Sequence, residues 1–288
     1  PDDANWRDPE NWWKVNPSAD VTVPKQDYFD DYKTIENNAL AEARFRTFRC
    51  CQWVGHSEQW LSSALWSDCG ADLDEKNFHK ASAYVGLDMS RRYDLTSYLI
   101  LVERDGLHYL FPRFFIPAVS AQQKEKLDGV PYTRWSKLPH SNLYLTPGDV
   151  IDPQAVIDRL VEDSKLFQFE TVGYDPYAAE LVRQKLKFDH NLPMIEVAQS
   201  PSLMSPACSQ FERQLLAKKI RHPRNPVLTW NAGNVCVRKV GDNQIMLDKR
   251  RSTARIDGIT AAVIATQRWM EAQKEPRTVT ADMVFVRV

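Results

Sequence analysis

Tyr84-Val85-Gly86-Leu87-Asp88-Met89-Ser90-Arg91-Arg92-Tyr93-Asp94-Leu95-Thr96-Ser97 is the stretch that decides the fold. An apolar run from Tyr84 to Leu87 stops at an acid. A second acid, Asp94, follows six residues later, and then the apolar run Tyr98 to Val102. The pattern is that of a buried strand, a short loop and a second strand. Asp88 stands where the first strand leaves the core, so its carboxylate can face a cleft at the sheet's end. On this stretch alone it can equally cap a turn, as acids commonly do.

Outward from that stretch, the pattern predicts a first strand at 82–88 and a second at 97–104. A turn at Asp105-Gly106 leads to a third at 107–113. A long connection follows, carrying Pro117, Pro131 and Pro139. Asp152-Pro153 opens a helix to about Phe167, with Val156, Leu160 and Val161 inward. Strand four is expected at 170–174, again ending in an acid, Asp175. A helix at about 177–187, strand five at 194–198 and a helix at roughly 206–219 come next. Val227 to Trp230 is a short β-like stretch, and Val235 to Leu247 a possible hairpin. The last helix spans about 255–272, with Ile256, Ile259, Val263 and Thr266 along one face. Three strands followed by βα units make a mixed central sheet flanked by helices, the α/β order of the ribonuclease H-like fold.

The N-terminal part differs. Asp8-Pro9, Asn16-Pro17 and Val23-Pro24 predict an irregular, extended lead-in to about residue 34. Its Trp6, Trp12 and Trp13 need something to pack on. Leu40, Ala43, Phe48 and Cys51 recur at helical spacing between about Tyr32 and Val54. Ser57 is then expected to cap a helix to Trp66, with Trp60, Leu61, Ala64 and Leu65 on one side. A boundary near 78 divides a mostly helical extension, 1–78, from the sheet domain, 79–288.

Composition bounds the function. The net charge is −1, so a surface for nucleic acid must be local. Nothing approaches the run of about 20 apolar residues that a membrane span requires, and the polar, Trp-rich start is no signal peptide. Five cysteines, at 50, 51, 69, 208 and 236, form no Cys-x-x-Cys pair. They match neither a zinc site nor a disulfide framework and suit a reducing, cytoplasmic setting. The six histidines lack metal-pair spacing.

Three acids stand at corresponding places. Asp88 closes strand one, Asp175 closes strand four, and Asp257 lies in the first turn of the last helix. In a ribonuclease H-like sheet strands one and four are neighbours, and the last helix packs beside their ends, so the three carboxylates would converge. Such a cluster is unfavourable without cations. Hard oxygen ligands select Mg²⁺ or Mn²⁺. Two ions about 3.5–4 Å apart activate a water and stabilise the leaving oxygen of a phosphodiester. Asp94 either ligates a metal or caps its turn. Lys249, Arg250, Arg251 and Arg255 form a basic cluster just before Asp257. It is either a solvated face or a phosphate contact beside the cleft. His222 reads as a loop histidine, and Trp135 and Trp230 as packing residues.

Residues about 80–270 resemble the nuclease domain of the large terminase subunit of tailed double-stranded DNA phages. The resemblance rests on Gly86-Leu87-Asp88 with Asp94-Leu95-Thr96, and on Tyr174-Asp175-Pro176. It rests also on His222-Pro223-Arg224-Asn225-Pro226-Val227-Leu228-Thr229-Trp230 and on Lys249 through Arg255-Ile256-Asp257-Gly258. Glu10-Asn11-Trp12-Trp13-Lys14-Val15-Asn16-Pro17 looks like the family's segment after its motor domain. The resemblance implies that Asp88, Asp175 and Asp257 bind two divalent metal ions, with Asp94 as helper. It implies cleavage of double-stranded, concatemeric DNA during genome packaging, in the host cytoplasm. It also implies the small terminase subunit, the portal and an N-terminal ATPase as partners of the full-length protein, and no membrane. No Gly-x-x-x-x-Gly-Lys-[Ser/Thr] loop occurs, so the chain is expected to be the C-terminal part of such a protein.

Rival readings keep the fold. A sugar-kinase or actin-like ATPase would need Gly-rich phosphate turns, and the 10 glycines do not cluster. A resolvase- or transposase-type nuclease would use similar acids. A DNA-docking module with a weak metal site would keep them without cutting.

Overall fold

The computed structural model of the chain describes residues 4–33, 35, 39–52, 59–90, 95–176, 179–240, 244–252 and 254–274. The elements follow in order as α1 (Pro9–Val15), α2 (Lys25–Lys33), α3 (Ala39–Cys50), α4 (Ser63–Asp68) and a 3-10 turn (Glu75–Phe78). Next come β1 (Ser82–Asp88), β2 (Thr96–Arg104), β3 (Leu107–Pro117), α5 (Ala118–Asp128), α6 (Tyr132–Trp135) and β4 (Leu143–Thr146). Then α7 (Pro153–Leu166), β5 (Gln168–Tyr174), α8 (Glu180–Phe188), β6 (Met194–Glu196), α9 (Pro201–Leu216) and β7 (Ile220–Arg221). The described chain ends with α10 (Pro226–Asn234), β8 (Val237–Val240), β9 (Gln244–Leu247) and α11 (Asp257–Lys274).

The main sheet runs β4-β3-β2-β1-β5-β6, with the short β7 also paired to β3. β1, β2 and β3 form an antiparallel meander, while β5 lies parallel to β1, and β6 parallel to β5. This is the mixed, ribonuclease H-like order expected from the sequence. Both faces of the sheet are covered, so β1 and β2 are buried almost throughout. Leu99, Leu101 and Leu110 join one apolar cluster with α9, α10 and α11. Val85, Leu87, Ile100 and Val102 join a second cluster with α7 and α8. A third, aromatic cluster of Trp6, Trp12, Tyr28 and Phe45 holds α1, α2 and α3.

The central helix is α11. Every residue from Asp257 to Gln267 is buried, a wider apolar surface than the single stripe expected. It lies directly on β1 because Gly86 offers no side chain there. A Cβ at Gly86 would sit 2.0 Å from the Ala261 carbonyl oxygen. Gly86 is registered against Gly173 of β5, so two glycines on neighbouring strands form the floor on which the helix rests.

Several expectations are corrected. The lead-in is not irregular: Asp8 caps α1 by accepting the Glu10 amide at 3.0 Å, with Pro9 at the first helical position. Asp-Pro is thus a helix start here, not a break. In α3 the buried side is Phe45 and Cys50, whereas Phe48 is 75% exposed and Cys51 is exposed. Ser62, not Ser57, caps α4, and Ala64 is exposed; Ser57 lies outside the described residues. Val227 to Trp230 is helical. Asn225 accepts the Leu228 amide at 3.0 Å and Pro226 occupies the first helical position, a start signal that the β-branched and aromatic residues obscured. The helix expected from 206 begins at Pro201 and tolerates Pro206 inside it. The long connection after β3 holds α5, α6 and β4, whose apolar residues follow no stripe: Val119 and Leu127 are exposed while Lys124 is buried.

Candidate functional site

Side chains alternate along a strand, so Tyr84, Gly86 and Asp88 share one face of β1. That is the face on which α11 lies. Asp88 is therefore directed at the start of α11, at the point where the strand ends. In β5 the residue paired with Gly86 is Gly173, and Leu87 is paired with Tyr174. Asp175 is one step further, and its amide donates to the Leu87 carbonyl at 3.4 Å. Asp175 thus follows its strand in the same register as Asp88, on the adjacent parallel strand. Asp257 opens α11 and is buried.

One cation ties the acids together. The Lys249 ammonium donates to Asp88 Oδ2 at 2.9 Å and reaches Asp257 Oδ1 at 3.5 Å. Its side chain is 56% exposed, while its ammonium contacts two buried carboxylates. Burial alone would lower the Lys249 pKa; the Asp88 and Asp257 charges outweigh it and hold the ammonium above its usual range. Burial pushes the Asp88 carboxyl above the ordinary carboxylate range. Lys249 opposes that push, the Asp175 charge adds to it, and a hydrogen bond from Thr260 opposes it again.

The neighbouring loop is built to hold this lysine. Asp248 Oδ1 accepts the amides of Arg250 and Arg251 at 3.0 and 3.1 Å, fixing a tight turn after β9. Asn231 of α10 accepts the Gly258 amide at 2.7 Å, so another helix satisfies an amide in the first turn of α11. A groove of about 690 Å³ opens beside Asp175 and Lys249, lined also by Gln199, Arg238, Arg250 and Thr260.

The structure thus brings together Asp88, Asp257 and Lys249, with Asp175 beside Asp88. Arg250 and Arg251 are exposed next to them. Arg255 turns aside to Asp128, with Nε 3.3 Å from Oδ2. Asp94 lies outside the described residues. His222 is buried, its ring stacked on Trp66 at 4.2 Å and its Nε2 2.8 Å from the Trp66 carbonyl oxygen. Trp135 and Trp230 pack against each other, 6.1 Å between ring centroids. Among the described residues no group of three or more His, Cys, Asp or Glu side chains is gathered tightly enough to hold a metal ion.

Thr260, Arg238 and Gln199 were missed from the sequence. Thr260 could have been found, since a residue three positions after Asp257 lies on the same helix face. Arg238 and Gln199 carry no such local signal, because only the folded arrangement of β8 and the β6–α9 link brings them to the groove.

The family described as "Terminase large subunit, endonuclease domain" matches residues 1–274. The terminase large subunit of Enterobacteria phage HK97 is 29% identical over 267 residues, covering 92% of this chain and 52% of that protein. Protein YmfN of Escherichia coli (strain K12) is 24% identical over 283 residues, covering 94% of this chain and 62% of its own length. The crystal structure of the HK97 bacteriophage large terminase superposes with a TM-score of 0.66 at 28% identity, over 93% of this chain and 55% of that one. The chain therefore spans about half the length of the HK97 protein it matches. With the family matched across nearly all of its length, the chain belongs to the terminase large subunit endonuclease-domain family.

Proposed function

We propose that this chain is a divalent-metal-dependent endodeoxyribonuclease that hydrolyses phosphodiester bonds in double-stranded DNA. Asp88, Asp175 and Asp257 are its metal-binding acids. The observation that supports this best is the acid set itself: Asp88 at a strand end and Asp257 at a helix start share the Lys249 ammonium, and Asp175 follows the adjacent parallel strand beside Asp88. The donors fit a hard cation. All are carboxylate oxygens, the chemistry that suits Mg²⁺ or Mn²⁺. The Lys249 ammonium stands where positive charge is needed.

When bound, a pair of such ions supplies an activated water and stabilises the leaving oxygen. The chain's own residues do the rest. Asp88 and Asp257 present oxygens from two rigid elements, a strand end and a helix start. Exposed Arg250 and Arg251, with Arg238 across the groove, hold the DNA backbone through phosphate contacts, which carry no direct base information. Asp94, which lies between β1 and β2 in the sequence, is a helper to these acids. In the full-length protein this activity would cut concatemeric viral DNA in the host cytoplasm, beside an ATPase domain, the small terminase subunit and the portal.

The test is plasmid cleavage with Mg²⁺, Mn²⁺, Ca²⁺ or chelator. Cutting with Mg²⁺ or Mn²⁺, none with chelator, and loss in Asp88→Ala, Asp175→Ala and Asp257→Ala is expected. Full cleavage in excess chelator would overturn the reading. A second reading is favoured by Lys249 sitting among the acids: a DNA-docking module that cuts poorly. Metal-independent DNA binding with no cleavage under any cation would select it.

A further inference from the structure

We propose that Lys249 is a built-in placeholder for the metal: its ammonium occupies the cation position between Asp88 and Asp257 until a divalent ion displaces it. The inference rests on the metal-site reading above and adds to it a residue that sets how readily the site loads.

Asp88 is 4% exposed and ends a strand packed under a helix, so its charge cannot be left to solvent. Lys249 Nζ answers it at 2.9 Å and shares Asp257 Oδ1 at 3.5 Å. A Mg²⁺ ion binds carboxylate oxygens at about 2.0–2.1 Å. An ammonium already in contact with those two oxygens cannot remain while a divalent cation takes them, because the two would be like charges at contact. Loading is therefore an exchange.

The geometry makes that exchange local. The backbone after β9 is pinned by the two amides on Asp248, so the turn need not move. The Lys249 side chain, four methylenes long and 56% exposed, can swing out alone. Swung out, it joins Arg250 on the rim of the groove, where a phosphate can receive it. One lysine thereby keeps the empty acid cluster folded and adds to the backbone contact once metal has entered. The cost falls on metal affinity: the apparent Kd rises by the inverse of the fraction of molecules in which the ammonium has left.

The experiment is metal titration of the full chain followed by thermal unfolding and by calorimetry, with Mn²⁺ and with non-cleaving Ca²⁺, and without DNA. Three proteins are compared: wild type, Lys249→Met, which keeps the apolar stem, and Asp88→Asn, which removes the shared carboxylate. In Lys249→Met the melting temperature without metal should fall, and the metal midpoint should drop about tenfold. The metal-induced rise in melting temperature should exceed that of wild type. An unchanged or weaker midpoint in Lys249→Met, while wild type shows a shift that Asp88→Asn abolishes, overturns the placeholder and leaves the metal site standing. A metal shift that survives in Asp88→Asn overturns the site reading and the placeholder with it. Should Lys249→Met not fold, Lys249→Gln is titrated by calorimetry at low temperature, where the same tightening is required.

Discussion

Replacing Gly86 by alanine tests whether the site depends on contact between strand and helix. The added Cβ would lie 2.0 Å from the Ala261 carbonyl oxygen, 2.5 Å from the Ala265 amide nitrogen and 2.9 Å from Ile264 Cβ. Two of these atoms are helix backbone and cannot rotate away. Ordinary contact begins near 3.4 Å, so β1 and α11 must separate by about 1.4 Å. Overpacking of this kind costs about 1–3 kcal/mol, and the absence of a yielding side chain places Gly86→Ala at or above the top of that range. The displaced helix carries Asp257, one turn before Ala261, away from Asp88. A misplacement of about 1 Å at a reacting centre lowers rate by about a hundredfold. Gly173→Ala is the internal control. There the Cβ meets Arg268 Cγ at 2.7 Å and Ile264 Cγ2 at 2.9 Å, both side-chain atoms that can shift. Urea unfolding followed by circular dichroism gives the stabilities, and metal-dependent plasmid cleavage gives the rates. A Gly86→Ala protein that loses under about 1 kcal/mol and cuts like wild type would refute the argument that direct strand–helix contact sets the acid geometry.

Other outcomes follow from the same structure. Asp163→Ala should cost about 3–5 kcal/mol in urea unfolding, because it strips a partner from Arg113, which is wholly buried and held at 2.9 Å by Asp163 and 2.6 Å by Glu75; a loss under about 1 kcal/mol would show that Glu75 suffices. His108 and His222 are both held down to about 4 by burial, against an unfolded value near 6.5. A histidine with a depressed folded pKa stabilises fully above 6.5, and that stability is lost as pH falls toward 4. At pH 5 each accounts for about 2 kcal/mol, so His108→Phe, which keeps a ring against Trp269, should flatten the fall in urea midpoint between pH 7 and 5; an unchanged fall would refute this. Arg250→Ala with Arg251→Ala should weaken binding to two unrelated duplexes alike and reduce the salt slope by roughly 0.9 for each lost phosphate contact, while a loss on one duplex alone would mean the pair reads sequence.

How legible this molecule was depends on which force placed each residue. β1, β2 and α7 were readable because short apolar runs, a Gly turn at Asp105-Gly106 and an Asp-Pro cap are local signals. Asp88 and Asp175 could be singled out because each stands where an apolar run stops, and Asp257 because it lies in the first turn of the last helix. That Asp88 and Asp257 meet at Lys249, with Asp175 on the strand beside Asp88, follows from the order of the elements and not from any one acid. α10 was misread because Val227, Leu228 and Trp230 favour strands by composition, while the Asn225-Pro226 cap that settles the matter is only two residues long. α1 was misread in the same way through Asp8-Pro9, whereas the helical spacing that marks α3 was read as helix. Lys249 marks a different limit. Sequence placed it among the basic residues beside the cleft, and nothing in a linear pattern tells an ammonium that faces solvent from one drawn back onto two acids 2.9 and 3.5 Å away.

The acids also explain why α11 must begin where it does. A helix N-terminus carries a partial positive charge, which favours a carboxylate in the first turn. Asp257 occupies that turn, yet its position is usable by the cleft because Asn231 takes the Gly258 amide from another helix. Asp88 has no helix behind it, being at a strand end, and it is the more buried of the two. Its charge has to be met from outside the sheet. Lys249, from the β9 turn, does so at 2.9 Å. α11 thus supplies one acid and holds it within reach of the lysine that meets the other, and it can do so only while it lies flat on Gly86. The glycine floor, the buried helix and the charged cluster are consequently one device, and a change that lifts the helix carries Asp257 away from Asp88 and Lys249.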